Sequence, residues 1–280
     1  MIFPARRSTA LTLLWATLLC AACSDDSSTD ADTTGTEDDD TAGEPIFVPP
    51  TTVLIPEGNV WRGCIDGDPD CDSNESPGGM VAVPAFFIMR YETTVLDYEA
   101  CVDAGMCNVP PDDPDCNYGV NGRDSHPINC VNWNDAHAYC SFLGLRLPTE
   151  AEWERAARGD TLTLYPWGDD AASCTTAALD TCINATQPVG SYPDGISPFG
   201  IGDMVGNVSE WVADYYDPDY YSASAGEENP QGPDSGNERV VKGSAFTVPP
   251  DFPANRISKR NPSAPDAALR IYGIRCARDR

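Results

Sequence analysis

The sequence predicts an α+β fold with little regular secondary structure, and three observations support this prediction. Short helices with clear capping residues occupy the first half of the region that begins at about residue 51. The second half, beyond Gly159, is rich in Gly, Pro, Asp and aromatic residues and has only brief strand-like runs. Ten cysteines lie beyond Cys23, and an even number favours disulfides in an exported chain. We therefore expect an α+β domain that is stapled by disulfides.

The N-terminus has the form of a secretory signal peptide, residues 1–22. Two arginines precede an apolar run, residues 10–19, that is too short to span a bilayer as a helix. The small residues before Cys23 resemble a bacterial lipobox, which implies cleavage before Cys23 and acylation of its thiol. Cys20 stands where that pattern usually has Leu, so cleavage by an ordinary signal peptidase is the alternative. Both routes predict an exported protein, and the lipobox places it in the cell envelope as a lipoprotein.

An acidic segment, residues 23–50, follows the predicted signal peptide. Nine carboxylates stand between residues 24 and 44 without a single Lys or Arg. Such a composition buries too little apolar surface to offset the entropy cost of ordering the chain. We interpret this segment as a disordered tether, so the membrane is expected to be contacted only through the lipid anchor.

The net charge excludes two classes of partner. The chain has 44 acidic residues against 17 basic ones, a formal net charge of −27 at pH 7. Nucleic acid and anionic lipid surfaces both require cationic protein surface that displaces counterions. Neither is expected as a partner, whereas a cationic partner or a calcium ion is compatible with this charge.

The ten cysteines are predicted to form disulfides and not a metal site. No CxxC occurs among them and the chain has two histidines, so a zinc site is not expected. Cys64 and Cys71 are close enough in sequence to staple a local loop, and so are Cys174 and Cys182. Sequence alone does not determine the connectivity.

Two strands are predicted at the start of the domain, over residues 53–55 and 80–89. The loop between them, residues 66–75, is rich in Asp. It lacks the spacing and the terminal Glu of an EF-hand, so a solvated loop is expected here and not a calcium site.

Two helices follow. The first is predicted over residues 95–104 with Thr94 as N-cap, and the second over residues 133–143 with Asn132 as N-cap and Asp135 at N3. A glycine follows each helix and ends it. The apolar face of the second helix is expected at i, i+3, i+4 and i+7, which are Ala136, Tyr139, Cys140 and Leu143.

A third helix is predicted within the run RLPTEAEWERAARG, residues 146–159. Thr149 is placed to act as N-cap and Glu152 to complete a capping box, and Gly159 ends the helix. Taken alone, the run is equally compatible with a well-capped surface helix. The helix dipole explains its three glutamates better than paired-carboxylate catalysis does: Glu150, Glu152 and Glu154.

Five segments in order carry a resemblance to one protein family. They are NCVNWNDAHAYCSFLGLRLPTEAEWERAARG (129–159), YPWGD (165–169), SPFGIGDMVGNVSEW (197–211), RVVKGSAF (239–246) and YGIRCARDR (272–280). Together they resemble the formylglycine-generating enzyme, or sulfatase-modifying factor, family over residues 51–280. The resemblance implies an irregular fold related to C-type lectins, with little regular secondary structure.

The resemblance also implies a reaction and the residues that it needs. Active members use O₂ and a copper(I) ion held between two cysteines to oxidise a sulfatase cysteine to formylglycine, and soft thiolates select Cu(I). In this chain the two cysteine positions are occupied by Thr247 and Phe252. Copper is therefore not expected, and no catalytic residue is assigned. By the same resemblance, Cys276 matches a position that forms a disulfide with the one at Cys140.

Two aromatic positions of the family pocket have also changed. Ser209 and Ala245 stand where the family usually has Trp. The replacement of large aromatic side chains by small ones implies a pocket that is wider, or that is no longer selected for the sulfatase peptide.

A calcium site is implied by the loop that begins at Asp203, which would supply a carboxylate. The remaining ligands would be mainly backbone carbonyl oxygens, those of Met204, Gly206 and Val208. A tight turn capped by Asp203 is the alternative interpretation. Cys174 and Thr175 occupy the place of the family's other calcium site, so a disulfide is expected to fasten that loop instead of an ion.

The two histidines lack the partners that a nucleophilic or metal site requires. His126 precedes Pro127 in a loop, and His137 lies on the second helix away from its apolar face. Both are expected to face solvent.

These observations predict an exported, lipid-anchored, non-catalytic protein that binds an unidentified ligand or protein partner. Its pocket is expected at the family position, built by Ser244, Thr247, Phe252 and Arg260. Two alternatives stay open: a formylglycine-generating oxidase or a diverged oxidoreductase of the same family, and a structural surface scaffold.

Overall fold

The computed structural model describes residues 52–280. The predicted signal peptide, Cys23 and the predicted tether lie outside the described residues. Within residues 52–280, no helix combines the length and the apolar character needed to cross a bilayer.

The described residues form short strands and short helices joined by long ordered loops. The strands are β1 (Thr52–Ile55), β2 (Gly58–Arg62), β3 (Gly79–Val83), β4 (Phe86–Met89), β5 (Ser209–Tyr215), β6 (Arg239–Lys242), β7 (Asn261–Ser263), β8 (Tyr272–Gly273) and β9 (Ala277–Asp279). The helices are α1 (Val95–Asp103), α2 (Trp133–Phe142), α3 (Glu150–Arg158) and α4 (Tyr220–Ala223), with single 3₁₀ turns at Ser73–Glu75, Pro193–Gly195 and Pro253–Asn255.

The strands of the described residues form three small sheets. Their orders are β1-β4-β9, β2-β3 and β7-β6-β5-β8. Neighbouring strands are antiparallel except for β5 and β8, which run parallel. This mixture of few helices and small sheets confirms the predicted α+β class.

The single strand predicted over residues 80–89 is wrong, because two strands occupy this segment. Pro84 lies between them and has no amide to donate to a ladder. β3 pairs with β2, whereas β4 pairs with β1 on one side and β9 on the other. The chain therefore changes sheet at the proline.

α1 and α2 begin at their predicted caps. Thr94 Oγ1 accepts a hydrogen bond from Asp97 N at 3.1 Å, and Asn132 Oδ1 accepts one from Asp135 N at 3.0 Å. The expected apolar face of α2 is buried except for Leu143, which is 39% exposed. Leu143 is the C-cap, so it lies past the last full turn of the helix.

α3 lies in the interior, so its interpretation as a surface helix is wrong. All nine residues of α3 are buried, and the helix packs against β2, β3, β5 and β6. Its predicted capping box is present: Thr149 Oγ1 accepts from Glu152 N at 3.1 Å, and Glu152 Oε2 accepts from Thr149 N at 2.8 Å. The predicted N-cap and capping box of α3 are confirmed, although the helix is buried and does not lie on the surface.

Residues 52–280 contain three apolar core clusters, and β5 lies between the two larger ones. Trp153 of α3 and Val212 of β5 belong to the cluster built with β1 to β4. Trp211 of β5 belongs to the cluster built with α1 and α2. Since successive side chains of a strand point to opposite faces, β5 contributes to both clusters.

All ten cysteines of the described residues are paired. The local pairs Cys64–Cys71 and Cys174–Cys182 are present as predicted. Cys140 of α2 is joined to Cys276, the pair implied by the family resemblance, across a sequence separation of 136. The other two pairs are Cys101–Cys107 and Cys116–Cys130.

The acidic loop at residues 66–75 is largely solvent-exposed, as expected, but two of its carboxylates are buried. Arg256 Nη1 lies 2.6 Å from Asp68 Oδ2 and 2.8 Å from Glu75 Oε2, and all three side chains are buried. The guanidinium draws the loop inward by neutralising these two carboxylates.

Candidate functional site

α3 presents buried carboxylates to residues from distant segments. Glu150 accepts two hydrogen bonds from Arg260, from Nε at 2.8 Å and from Nη2 at 2.9 Å. Glu154 Oε1 accepts hydrogen bonds from Lys242 Nζ and from the Tyr221 hydroxyl, both at 2.8 Å. Glu150 and Glu154 thus bind specific cationic and hydroxyl partners in the interior, which the helix dipole alone does not explain.

Asp214 is a further buried carboxylate beside Glu150. Its Oδ2 accepts a hydrogen bond from Glu150 N at 2.8 Å. Burial and the nearby negative charge of Glu150 raise the pKa of Asp214 to about 8. Burial alone would also raise the pKa of Glu150, but the charges of Arg260 and Lys242 outweigh it and hold that pKa below its usual value.

A tight turn after β6 connects this charged interior to the family cysteine positions. Gly243 follows Lys242 and has a φ of 72°. A Cβ at this position would lie only 3.0 Å from the carbonyl oxygen of Met204. The positive φ and the close approach both require glycine here.

The turn is bonded to the loop that precedes β5. Ser244 Oγ accepts a hydrogen bond from Gly206 N at 3.0 Å, and Phe246 N donates to Asn207 O at 2.9 Å. Ser209 Oγ donates to the carbonyl oxygen of Gly243 at 3.3 Å. Ser209 thus holds the turn in place at a position where the family usually has Trp.

Glu92 accepts hydrogen bonds from the same loop. Its Oε1 accepts from Val208 N at 3.0 Å and its Oε2 accepts from Asn207 Nδ2 at 2.5 Å. Burial, followed by the charges of Asp203 and Glu210, raises the pKa of Glu92 well above its usual value. The loop therefore surrounds a carboxyl group that is costly to ionise.

The predicted calcium ligands lie in this loop, and their chemistry fits the ion. Three buried carboxylates, those of Glu92, Asp203 and Glu210, are close to a single guanidinium, that of Arg275. A divalent cation held by Asp203 and the loop carbonyls would stabilise the ionised form of these carboxyl groups. The loop carbonyls of the predicted set are those of Met204, Gly206 and Val208.

The turn interpretation of Asp203 also has structural support. Asp203 has a φ of 61°, and its Oδ2 accepts a hydrogen bond from Gly190 N at 2.6 Å. This bond joins the loop to the preceding segment without any ion. The two interpretations are compatible, because a carboxylate that accepts one hydrogen bond has further lone pairs for a cation.

The positions of the family cysteines do not fit a copper(I) ion. Thr247 is half-buried, and Phe252 is 55% exposed where the chain enters the 3₁₀ turn Pro253–Asn255. Neither side chain contains sulfur. Every cysteine of residues 52–280 is already in a disulfide, so no thiolate pair is available to hold the ion.

The structure does not gather the four predicted pocket residues around one cavity. Ser244 is buried and bonded to Gly206, and Arg260 is 1% exposed and held by Glu150. Both are interior residues that position other groups, and their place in a ligand pocket stays a prediction. Thr247 and Phe252 remain as the members of the set that reach the surface.

A cavity of about 130 Å³ adjoins this region and was not predicted from the sequence. Phe246, the residue before Thr247, lies in its wall, and we call it the Phe246 cavity. Its polar walls come from segments that are far apart in the chain: Asp115, Asn117, Arg123, Thr186 and Arg270. No motif in the sequence marks this cavity, because its walls come from separate loops.

The two histidines differ in their surroundings. His126 is 8% exposed, and its Nδ1 lies 2.9 Å from Arg123 Nη1 and 3.0 Å from Thr186 Oγ1. The prediction that it faces solvent is wrong, because these partners draw the ring inward. Burial and the charge of Arg123 lower the pKa of His126 to about 4. His137 is exposed as expected and stacks on Trp133.

Comparison with known proteins identifies the family. The family model described as "Sulfatase-modifying factor enzyme 1-like domain" matches residues 39–280. The chain belongs to this family. The formylglycine-generating-enzyme resemblance of the five sequence segments is thereby confirmed, together with the fold that it implied.

Two curated proteins with different names are similar to this chain. The formylglycine-generating enzyme of Streptomyces coelicolor is 37% identical over 177 residues, which cover 57% of this chain and 55% of the relative. The serine/threonine-protein kinase pkn1 of Chlamydia pneumoniae is 34% identical over 247 residues, 81% of this chain and 38% of the relative. The chain thus spans about half or less of the length of these curated relatives.

A solved structure supports the fold assignment. PvdO from Pseudomonas aeruginosa superimposes with a TM-score of 0.71 at 27% sequence identity, covering 82% of this chain and 94% of PvdO. The sulfatase-modifying factor fold therefore accounts for nearly all of PvdO and for most of this chain.

Proposed function

We propose that this chain is a ligand-binding member of the sulfatase-modifying factor family that does not carry out the formylglycine reaction. One observation carries the proposal: Thr247 and Phe252 stand at the two family cysteine positions. The pairing of all ten described cysteines in disulfides adds to it, because no other thiol pair is free to replace them.

A peptide assay tests this proposal directly. The mature chain is incubated with copper(I), O₂ and a cysteine-containing sulfatase peptide, with a formylglycine-generating enzyme as positive control. We expect the peptide mass to stay unchanged with this chain. Conversion of the peptide cysteine to formylglycine would overturn the proposal and favour the oxidase alternative.

A pair of substitutions provides a matched variant. Thr247→Cys and Phe252→Cys together restore thiols at the family positions and leave the buried interior untouched. We expect this double variant to bind copper(I), whereas the wild type and Phe252→Cys alone do not, since two thiolates are needed for linear coordination. Equal copper binding by all three proteins would locate the metal elsewhere and contradict the assignment of these positions.

We also propose that the protein is exported and anchored to the cell envelope through Cys23. The signal-like N-terminus, the lipobox-like residues before Cys23 and the acidic stretch at residues 23–50 support this. Labelled fatty acid is expected to enter the wild type but not Cys23→Ser expressed in bacteria. Equal labelling, or retention of both proteins in the cytoplasm, would contradict the anchor.

We further propose a calcium ion at Asp203 and the carbonyls of Met204, Gly206 and Val208. The excess of buried carboxylates around this loop supports it. Calcium is expected to raise the melting temperature relative to EGTA, and Asp203→Asn should remove most of that rise. If magnesium and calcium have equal effects on both proteins, the loop is a hydrogen-bonded turn only.

The structural-scaffold alternative differs from the binding proposal in its surface chemistry. A scaffold requires only a stable domain, whereas a binding protein requires a cavity with unsatisfied recognition groups. Substitution of Phe252, an exposed aromatic residue, by Asp should reduce capture of a defined ligand without lowering stability. Unchanged capture by Phe252→Asp would remove this residue from the binding surface.

A further inference from the structure

The walls of the Phe246 cavity are fixed before any ligand arrives. The Cys116–Cys130 disulfide closes the loop that forms one wall. Asn117 Nδ2 donates to Pro127 O at 2.8 Å and to Thr186 Oγ1 at 3.0 Å, which bonds this loop to a second wall. Because the walls are already ordered, binding here loses little conformational entropy.

Arg123 brings to the cavity a positive charge that is not neutralised by a carboxylate. Its Nη1 contacts His126 Nδ1 at 2.9 Å and donates to the Thr186 hydroxyl and carbonyl oxygens at 3.1 and 3.3 Å. None of the ion pairs formed within residues 52–280 includes Arg123. Arg260 and Arg275, in contrast, are each held by a buried glutamate.

His126 orients Arg123 without adding charge. Burial and the neighbouring guanidinium lower the pKa of His126 to about 4, so the ring is neutral at neutral pH. A neutral ring can accept the Arg123 hydrogen bond at Nδ1, whereas a protonated ring would repel it. The positive charge at this wall is therefore that of the guanidinium alone.

Arg270 is a second cation of the cavity and is only loosely engaged. Its Nη1 lies 3.2 Å from Asp115 Oδ2, with side chains that are 46% and 56% exposed. The Arg270 Cζ also lies 5.6 Å from the centre of the Phe246 ring. Exposed ion pairs contribute little free energy, so a ligand can replace Asp115 at small cost.

We propose that the Phe246 cavity binds a small molecule through an oxyanion group, a carboxylate, sulfate or phosphate, held by Arg123 and Arg270. The guanidinium group presents planar donors that match such oxygens and strengthens the hydrogen bonds by its charge. A volume of about 130 Å³ admits the anionic group and a short attached chain. This inference rests on the proposed function, since it names the ligand class of a site beside Thr247.

Calorimetric titration of the mature chain tests the inference. The probes are sodium sulfate, sodium phosphate and sodium acetate, titrated separately at constant pH and at an ionic strength held constant with sodium chloride. We expect saturable binding of at least one probe with a stoichiometry of one. The probe that binds identifies the oxyanion as tetrahedral or planar.

Three variants locate the site. Arg123→Gln and Arg270→Gln should each weaken binding by about tenfold or more, because each removes a charged hydrogen-bond donor. Arg90→Gln is the matched control, since Arg90 is an exposed arginine outside the cavity walls and its loss changes the net charge equally. Its affinity should equal that of the wild type.

Two results would overturn the inference: no saturable binding of any probe, or equal weakening by Arg270→Gln and Arg90→Gln. Arg270→Gln is the decisive variant, because Arg270 is exposed. Weaker binding by Arg123→Gln supports the inference only if this variant keeps the melting temperature of the wild type. If no probe binds and the peptide assay also shows no oxidation, only the proposed anion site is rejected. If the peptide is oxidised and the anion still binds, only the proposed non-catalytic function is rejected.

Discussion

The carboxylate of Asp214 lies against the backbone amide of Glu150, with Oδ2 accepting its hydrogen bond at 2.8 Å. Both side chains are buried, but Arg260 and Lys242 lie within ion-pair distance of Glu150 and stabilise its charge. The ionised form of Asp214 is disfavoured in the fold, and its pKa rises to about 8. A neutral Asp214 beside an ionised Glu150 is therefore the preferred state at neutral pH.

Stability is expected to depend on this proton. An Asp in the unfolded chain has a pKa near 3.9, so between about pH 4 and pH 8 the folded state binds the extra proton. The contribution is fully present below pH 4 and is lost as the pH rises through 8. Urea unfolding from pH 5 to pH 9 should show a steeper fall in the free energy of unfolding for the wild type than for Asp214→Asn. Parallel curves would show that Asp214 ionises normally.

Removal of Arg260 should be strongly destabilising. Arg260→Ala leaves the buried Glu150 carboxylate without its main partner, and breaking such a pair typically costs about 3–5 kcal/mol. Arg270→Ala is the control, because its exposed pair with Asp115 is expected to contribute about 0–1 kcal/mol. Chemical denaturation measures both. A similar small loss for the two variants would mean that water reaches Glu150 in the folded protein.

The contribution of each disulfide to the free energy of unfolding should depend on the length of the loop that it closes. In the chain-entropy account, the Cys140–Cys276 link across 136 residues contributes about 5 kcal/mol, and the Cys174–Cys182 link across 8 residues about 2.5 kcal/mol. Paired Ala substitutions at each link, compared by urea unfolding, should reproduce that order. The reverse order would indicate that native strain or residual unfolded structure decides the effect.

The charge of Arg123 should be visible in the titration of His126. Because burial and Arg123 both lower the pKa of His126, Arg123→Gln should raise it from about 4 toward its ordinary value. The chain has two histidines, so proton NMR of the ring signals resolves the change. An unchanged pKa in a folded variant would assign the whole shift to burial.

The ends of the helices were predictable, and their surroundings were not. Capping residues act within one turn, so Thr94, Asn132 and Thr149 mark the observed helix starts. The burial of α3 depends on Arg260 and Lys242, which come from segments about a hundred residues away. Three glutamates on a short helix are typical of a surface, and only the tertiary partners reveal an interior.

The same limit applies to the candidate site. Motif order located Thr247 and Phe252, because it depends only on sequence spacing. It did not predict that Ser244 and Arg260 are buried, since the direction of a side chain depends on the packing around it. The Phe246 cavity was missed because its walls are brought together by loops with no shared periodicity.

The buried ion pairs also carry an evolutionary consequence. Glu150 with Arg260, and Glu210 with Arg275, each join two segments that are remote in sequence. Loss of one partner leaves a buried charge unpaired, so these segments are expected to evolve together. Thr247 and Phe252 take part in neither of these ion pairs, so no such constraint acts on them. Surface residues of this fold can thus change during evolution while the buried ion pairs are kept.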